Sequence, residues 1–363
     1  MDVINILVNL LKIKSLYSQE DEIRRYIVDF LKSKGNIKVF RNNVVFFNNE
    51  NYKVAFVGHI DTIDNVNEKN GVIEGDKVFG LGASDMKAGI AVMLALASEL
   101  HHLPIVWIFY DREEGNYEDN GLEIVFQNMK IKDLEFAIIF EPTSNNIEIG
   151  CNGVINYGIW IRGKSGHSAR KETYLNPFYL SIPLIQRFKD FQLDDYEKKI
   201  TIKSKEFGLR YKNNAVITLI KGFMDYENEN SFKNVVPEYC FINLNVRFTP
   251  NFDFEEIDGF YRKEIGSFSN IERIDVLDRA PAGKVIINDA LANFIDKFLS
   301  FGDFEIRAKQ AWTDVARFSV HNIPAINLGP GLPEQAHQKN EYAQITKIQE
   351  LYNIMKKIMD KGI

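Results

Sequence analysis

With 363 residues, 45% hydrophobic and 26% charged, the chain is long enough for two packed cores and has the composition of an ordinary globular protein. A formal net charge of -6, with no block of Lys and Arg, leaves no basic footprint for phosphate backbones and excludes nucleic acid as a partner. No apolar run approaches the roughly 18 to 20 residues that cross a bilayer, which excludes a membrane span, and the cysteines Cys151 and Cys240 are too few for a disulfide framework. Each is expected as a small buried apolar residue in a reducing, cytoplasmic setting.

In chain order, Val3, Ile6, Leu7, Leu10 and Leu11 lie at helical spacing without a basic start or a cleavage site, which predicts a core-facing helix. A second helix is predicted over 20–34 from Ile23, Tyr26, Ile27, Phe30 and Leu31, with Gly35 as its C-terminal cap. Short runs at 53–57, 104–110, 136–140 and 325–328, rich in Val, Ile and aromatics, predict strands of a sheet covered on both faces. Between the first two, Met86, Ile90, Met93, Leu94 and Ala97 predict a helix over 85–100 behind a Ser84 N-cap. The fold class is therefore α/β, with a mostly parallel central sheet flanked by helices. From Gly153 the texture changes: 155–162, 215–220 and 239–248 read as strands around a helical stretch. An inserted α+β domain is expected over 154–281, the main domain being 1–153 and 282–363. Helices spanning Leu291 to Leu299 and Ile345 to Met355 complete the main domain. The polar run 225–231 is expected as a solvated turn.

The chemistry lies where acids and histidines fall relative to the strands. The first strand runs into His59-Ile60-Asp61, the second into Asp111-Arg112-Glu113-Glu114 and the third into Glu141-Pro142-Thr143. The carboxyl ends of parallel strands are where sites form, so these groups are expected in one crevice. Asp85, after Gly80-Leu81-Gly82, adds an acid, and His337 follows the last strand. Imidazoles and carboxylates suit Zn²⁺, and a carboxylate between two half-sites can bridge ions about 3.5 to 4 Å apart. Singly, each group has a plainer explanation: a hydrogen-bonded His-x-Asp pair, a solvated Glu113-Glu114 run, a first-turn Asp85, an ordinary strand end at Glu141, an exposed loop His337. Their common register with the strands favours the metal centre.

These strings, with Gly58 to Thr62, Gly80 to Gly89, Gly166-His167-Ser168-Ala169-Arg170, Asn234-Val235-Val236-Pro237, Asn245 to Phe248 and Trp312 to Phe318, resemble the co-catalytic zinc peptidases and deacylases over nearly the whole chain. That family includes acetylornithine deacetylase, aminoacylases, carboxypeptidases and desuccinylases. The resemblance implies two Zn²⁺ per chain, with Co²⁺ as a substitute, one held by His59, Asp85 and Glu141 and the other by Asp85, Glu114 and His337. It further implies that Asp61 orients the His59 ring, that Glu113 is the general base, and that His167 of the other subunit in a homodimer donates to the oxyanion. Alternatively, His167 is an ordinary turn histidine. Asn234 and Arg247 resemble the residues that bind a substrate carboxylate, a structural role being the alternative. The spellings around Glu141, Cys151, His167 and Trp312 are most similar to one bacterial branch of the desuccinylases, although Trp312 to Phe318 departs from the commoner Gly-Thr-Ser-Asp-x-Arg-Phe. Thr313, Arg170 and Arg317 are candidate contacts to a succinylated diamino diacid, the two arginines equally candidates for ion pairs. Glu at position 141 argues against an aminopeptidase. The rival expectations are another N-acyl-amino-acid hydrolase or carboxypeptidase with the same metal residues, or a binding protein without catalysis, against which the intact Glu113 counts.

Overall fold

The computed structural model describes residues 2–131, 133–225 and 233–362, so the polar run 225–231 lies, after Asp225, outside the described residues. Helices α1 (Val3–Lys12) and α2 (Asp21–Leu31) open the chain, the first capped by the Asp2 carboxylate, which accepts the Ile4 N–H at 3.0 Å. Next come β1 (Asn36–Phe40), β2 (Asn43–Phe47), β3 (Val54–His59), the short β4 (Val72–Glu74) and β5 (Lys77–Phe79), and α3 (Ala88–Glu99). Strand β6 (Ile105–Tyr110), α4 (Leu122–Asn128), β7 (Phe136–Ile139) and β8 (Ile147–Ile149) complete the first part.

The middle of the chain forms β9 (Gly153–Arg162), β10 (Gly166–His167), α5 (Pro177–Lys189), β11 (Tyr196–Ile202), β12 (Lys205–Tyr211), β13 (Asn214–Phe223), β14 (Val235–Val236), β15 (Tyr239–Phe248), α6 (Phe254–Gly266) and β16 (Ile271–Ala280). The chain ends with α7 (Asp289–Leu299), β17 (Ile306–Ala308), α8 (Val315–Val320), β18 (Ala325–Asn327), β19 (Tyr342–Gln344) and α9 (Ile345–Asp360).

Eight strands form one mixed sheet in the order β1-β2-β6-β3-β7-β18-β8-β17, parallel where β3 meets β6 and β7, β7 meets β18 and β8 meets β17. Alternate residues of β3 and β6 point to opposite faces: Phe56, Trp107 and Phe109 pack with α1, α3 and α9, while Val57, Ile108 and Tyr110 pack with α4 and α8. Helix α3 is apolar all round and buried from Ala88 to Ser98, as a helix wedged between layers must be. The second sheet, β13-β15-β9-β16, is antiparallel throughout, and α5 and α6 bury Leu184, Phe188, Ile257, Tyr261 and Ile265 against Ile155, Tyr157, Ile159 and Ile161. The hairpin β11-β12 lies within 154–281, yet its Ile200, Ile202, Leu209 and Tyr211 belong to the core of the larger sheet. No helix among the described residues is long and apolar enough to cross a membrane.

Two expected helix ends differ. Ser84 does not cap α3: it sits in a separate wide turn, Ala83–Lys87, where its hydroxyl donates to Tyr342 O at 2.7 Å and accepts the Leu332 N–H. The second helix stops at Leu31 with Lys32 as cap, and Gly35 is instead needed for space, because a Cβ there would lie 2.9 Å from the Phe46 ring and the Phe47 carbonyl. Apolar spacing signals a helix interior but is silent about contacts made from elsewhere in the chain.

Candidate metal centre

Strand β3 ends on His59, and the loops after β6 and β7 deliver Glu113, Glu114 and Glu141 to the same end of the sheet. The His59 ring is fully buried, with Nδ1 3.0 Å from the Asp61 carbonyl oxygen. A carbonyl only accepts, so Nδ1 carries a proton and Nε2 is the ring nitrogen left to face the site. That Nε2 lies 3.1 Å from Asp85 Oδ1 and 4.0 Å from Glu141 Oε1. On the other side, His337 Nε2 lies 2.9 Å from Glu114 Oε2 and 3.7 Å from Asp85 Oδ2. Each oxygen of Asp85 thus faces a different histidine. Glu113 joins His59 and Glu114 in a third close group, and its carboxylate has no protein hydrogen-bond partner among the described residues.

The carboxylate of Asp61 does something the sequence did not suggest. It stands 3.6 Å from His59 Nδ1, farther than the carbonyl, and accepts the backbone N–H groups of Glu113 and Glu114, both at 3.0 Å. Asp61 therefore orients the ring through its main chain and fixes the Glu113-Glu114 loop through its side chain. Arg112 (φ 58°) and His337 (φ 62°) adopt left-handed conformations that cost a non-glycine residue about 1 to 3 kcal/mol and that the surroundings must hold in place. Asp111, buried next to Arg112 in the chain, accepts from Arg41 Nε at 2.7 Å.

Asp85 is held by a residue that sequence reasoning missed. The buried Glu341 carboxylate accepts the N–H groups of Gly82 (2.9 Å), Ser84 (2.7 Å) and Asp85 (2.9 Å), so the Asp85 loop closes around one fixed carboxylate, which burial pushes up to about 7 against the pull of these hydrogen bonds. Gly82 allows the turn: its φ is 77°, and a Cβ there would lie 2.5 Å from Thr62 Cγ2. Glu341 stands close in sequence to His337, but an isolated acid in a loop gives no local signal of partners that far away. Lys309 was missed for the same reason. It is buried, lines the same cavity and pairs with Glu148 Oε2 at 2.9 Å.

Crowded acids perturb one another. Burial, then repulsion from Asp85, raises Glu141 to about 8, and burial with Glu141 and Glu114 nearby pushes Glu113 well above the carboxylate range. Hydrogen bonding to Glu114 raises His337 to about 9. For His59, burial opposes protonation, but Asp61, Asp85 and Glu113 outweigh it and lift the ring well above its ordinary value. Such an array of buried acids around two imidazoles is what a cation of high charge would relieve.

The cavity at this centre, about 470 Å³, is lined by Asp85, Glu113, Glu114, Glu141 and His337, and also by Arg247, Thr313 and Lys309. The Thr313 hydroxyl is buried and has no hydrogen-bond partner among the described residues. His167, Arg170 and Asn234 are exposed around the β10-β14 pair and do not line it, His167 Nδ1 accepting the Ala169 N–H at 3.1 Å. Arg317 is buried behind the site and does not line the cavity; it is ion-paired, with Nε 2.8 Å from Asp314 Oδ1, Nη1 3.4 Å from Oε2 of the partly exposed Glu123, and its guanidinium over the Tyr117 ring. Asp314 also accepts from the Tyr110 hydroxyl at 2.6 Å, which makes it part of the same buried cluster.

The model of peptidase family M20/M25/M40 matches residues 55–361. The chain belongs to this family. It is 30% identical to a succinyl-diaminopimelate desuccinylase of Corynebacterium glutamicum, across 97% of this chain and 94% of that one. Among solved structures, an M20 metallo-carboxypeptidase of Sulfolobus solfataricus aligns with a TM-score of 0.71 at 16% identity, covering 98% of both chains. A dinuclear metal-binding M20 peptidase of Bacillus subtilis aligns with a TM-score of 0.67 at 15% identity, covering 97% of this chain and 95% of that one. At such identities the structural likeness concerns the fold.

Proposed function

We propose that the chain is a two-zinc amidohydrolase that removes the succinyl group from N-succinyl-LL-2,6-diaminopimelate, as a cytoplasmic homodimer. The observation that carries the reading is the division of Asp85, one oxygen toward His59 and the other toward His337, with the unpartnered Glu113 beside both. His59, Asp85 and Glu141 would hold one ion, and Asp85, Glu114 and His337 the other. Imidazole and carboxylate donors suit zinc, with Co²⁺ an accepted substitute, and Glu141 Oε1, buried with no hydrogen-bond partner among the described residues, is a donor atom awaiting a cation. The dinuclear metal-binding character of the Bacillus subtilis peptidase supports two ions, and the likeness to the Corynebacterium desuccinylase supports the substrate.

Two divalent ions held by these residues would supply a lowered water pKa and polarisation of the acyl carbonyl. Glu113, as the ionised carboxylate that the two cations would favour, takes the proton from the attacking water and passes it to the departing amine nitrogen. The guanidinium of Arg247, bonded only through Nε to Asn245 at 3.2 Å among the described residues, binds a substrate carboxylate. His167, exposed and outside the cavity lining of its own chain, serves the site of a partner copy, with Asn234 and Arg170 from the same surface. Strand β13 is an open edge carrying exposed Val216, Leu219 and Ile220, and α5 beside it exposes Tyr179 and Ile182, an apolar face suited to a second copy. In this arrangement 1–153 and 282–363 form the catalytic domain and 154–281 the inserted dimerisation domain, anchored to the larger core by the β11-β12 hairpin.

Hydrolysis of N-succinyl-diaminopimelate, N-acetylornithine and other N-acyl amino acids, with Zn²⁺ added, tests the reading. Preferred cleavage of the succinylated diamino diacid is expected. Preference for N-acetylornithine would replace the substrate and keep the chemistry, whereas no turnover with two ions bound would overturn the enzyme.

A further inference from the structure

The side chain of Lys309 is 9% exposed, follows β17 at the edge of the larger sheet and lines the cavity that holds the metal-ligating acids. An ammonium group has three N–H donors, and Glu148 Oε2 at 2.9 Å is its ion-pair partner. Two charges at a strand edge need no burial to stabilise it, and taking them out of water is unfavourable unless further hydrogen bonds follow. The remaining donors therefore want acceptors, and the cavity is the open space beside them. In the same lining, among the described residues, the buried Thr313 hydroxyl has no hydrogen-bond partner and Arg247 has two terminal guanidinium nitrogens without one. Unmet donors and two cations on the walls of one cavity are complementary to an anion with several oxygens.

We propose that Lys309 is a specificity residue that reads a carboxylate of the substrate additional to the one held by Arg247. This rests on the amidohydrolase reading and sharpens it: the substrate class is N-acyl amino acids that carry at least one further carboxylate. That carboxylate comes from the far end of a dicarboxylic acyl group or from the far end of the amine product. Glu148 holds the ammonium at the wall, so it is a positioning residue, and a second cation there makes uncharged acyl or amine halves poorer substrates.

The test uses the zinc-loaded enzyme and four substrates: Nα-succinyl-diaminopimelate, Nα-acetyl-diaminopimelate, Nα-succinyl-lysine and Nα-acetyl-lysine. Changing the acyl group isolates the acyl carboxylate, and changing diaminopimelate to lysine isolates the far amine-side carboxylate. Lys309→Met is expected to lower kcat/KM roughly 10- to 100-fold, chiefly through KM, for substrates bearing the carboxylate it reads, and far less for their matched partners. Lys309→Arg should recover part of the loss. The double variant Lys309→Met/Glu148→Gln, which leaves no buried unpaired charge, should show the same substrate dependence, with zinc content and circular dichroism reporting its fold. Equal losses on all four substrates, or a double variant with the wild-type preference, would overturn the proposal by making the pair structural. If the wild type cleaves only acetylated substrates, the desuccinylase reading fails, and Lys309 is judged by whether Lys309→Met erases a preference for acetyl-diaminopimelate over acetyl-lysine.

Discussion

Strands β3 and β6 of the larger sheet are buried at every residue, whereas β13 of the smaller sheet is mostly uncovered and leaves apolar side chains exposed along an open edge. The difference separates two tasks. A layer covered on both faces is rigid enough to hold mutually repelling carboxylates at its strand ends, where a misplacement of about 1 Å can cost a hundredfold in rate. A layer with an uncovered edge is suited to meeting another chain. The proposed function accordingly puts the chemistry on the larger sheet and assembly on the smaller.

The largest effect that tests this division lies in the larger sheet. Glu113→Gln should lower kcat by about 10²- to 10⁴-fold while metal analysis still finds two ions, because a general base is lost and no ligand is. Glu114→Gln should lose activity and also weaken metal binding, since Glu114 faces His337 at 2.9 Å. Equal metal loss in both variants would reverse their roles.

The smaller sheet is tested by Leu219→Asp on the β13 edge, which should give monomers in sedimentation velocity and a rate lower by about 10²- to 10³-fold, the worth of one oxyanion donor. The sharper form co-expresses His167→Ala with Glu113→Ala, each nearly inactive alone. Mixed dimers then contain one whole site of two, so roughly a quarter of wild-type activity should return with random pairing. Mixed dimers without activity would place His167 outside the chemistry.

A smaller effect is expected at Glu341→Gln, which removes the carboxylate around which the Asp85 loop closes. Zinc affinity measured by competition with a chelator should fall about 10- to 100-fold with the fold intact by circular dichroism. Unchanged affinity would make Glu341 a loop support without influence on the centre. The mildest perturbation is pH. Without metal, Glu141 titrates at about 8 and His337 at about 9, both above their ordinary values. Both must lose protons to bind a cation, so binding near neutral pH should release protons, and apparent affinity should rise from about pH 6 to 9 and then level. Calorimetry in two buffers of different ionisation enthalpy counts those protons, and a count of zero at pH 7 would contradict the shifts.

The sequence by itself determined the covered sheet, the apolar strands that end in acids and histidines, and the belonging of His59, Asp85, Glu113, Glu114, Glu141 and His337 to one centre. These were legible because strand burial leaves a continuous apolar run, and a parallel sheet sends its carboxyl ends to one side. Only the tertiary structure decided that Asp61 acts through its carbonyl on His59 and through its carboxylate on the next loop, that Ser84 bonds to Tyr342 instead of capping a helix, and that Arg317 is enclosed with Asp314. It also brought Glu341 to the Asp85 loop and Lys309 to the cavity wall. The reason is physical: periodicity records which face of an element is buried, whereas a polar side chain far away in sequence finds its partner only when packing brings the two chain segments together.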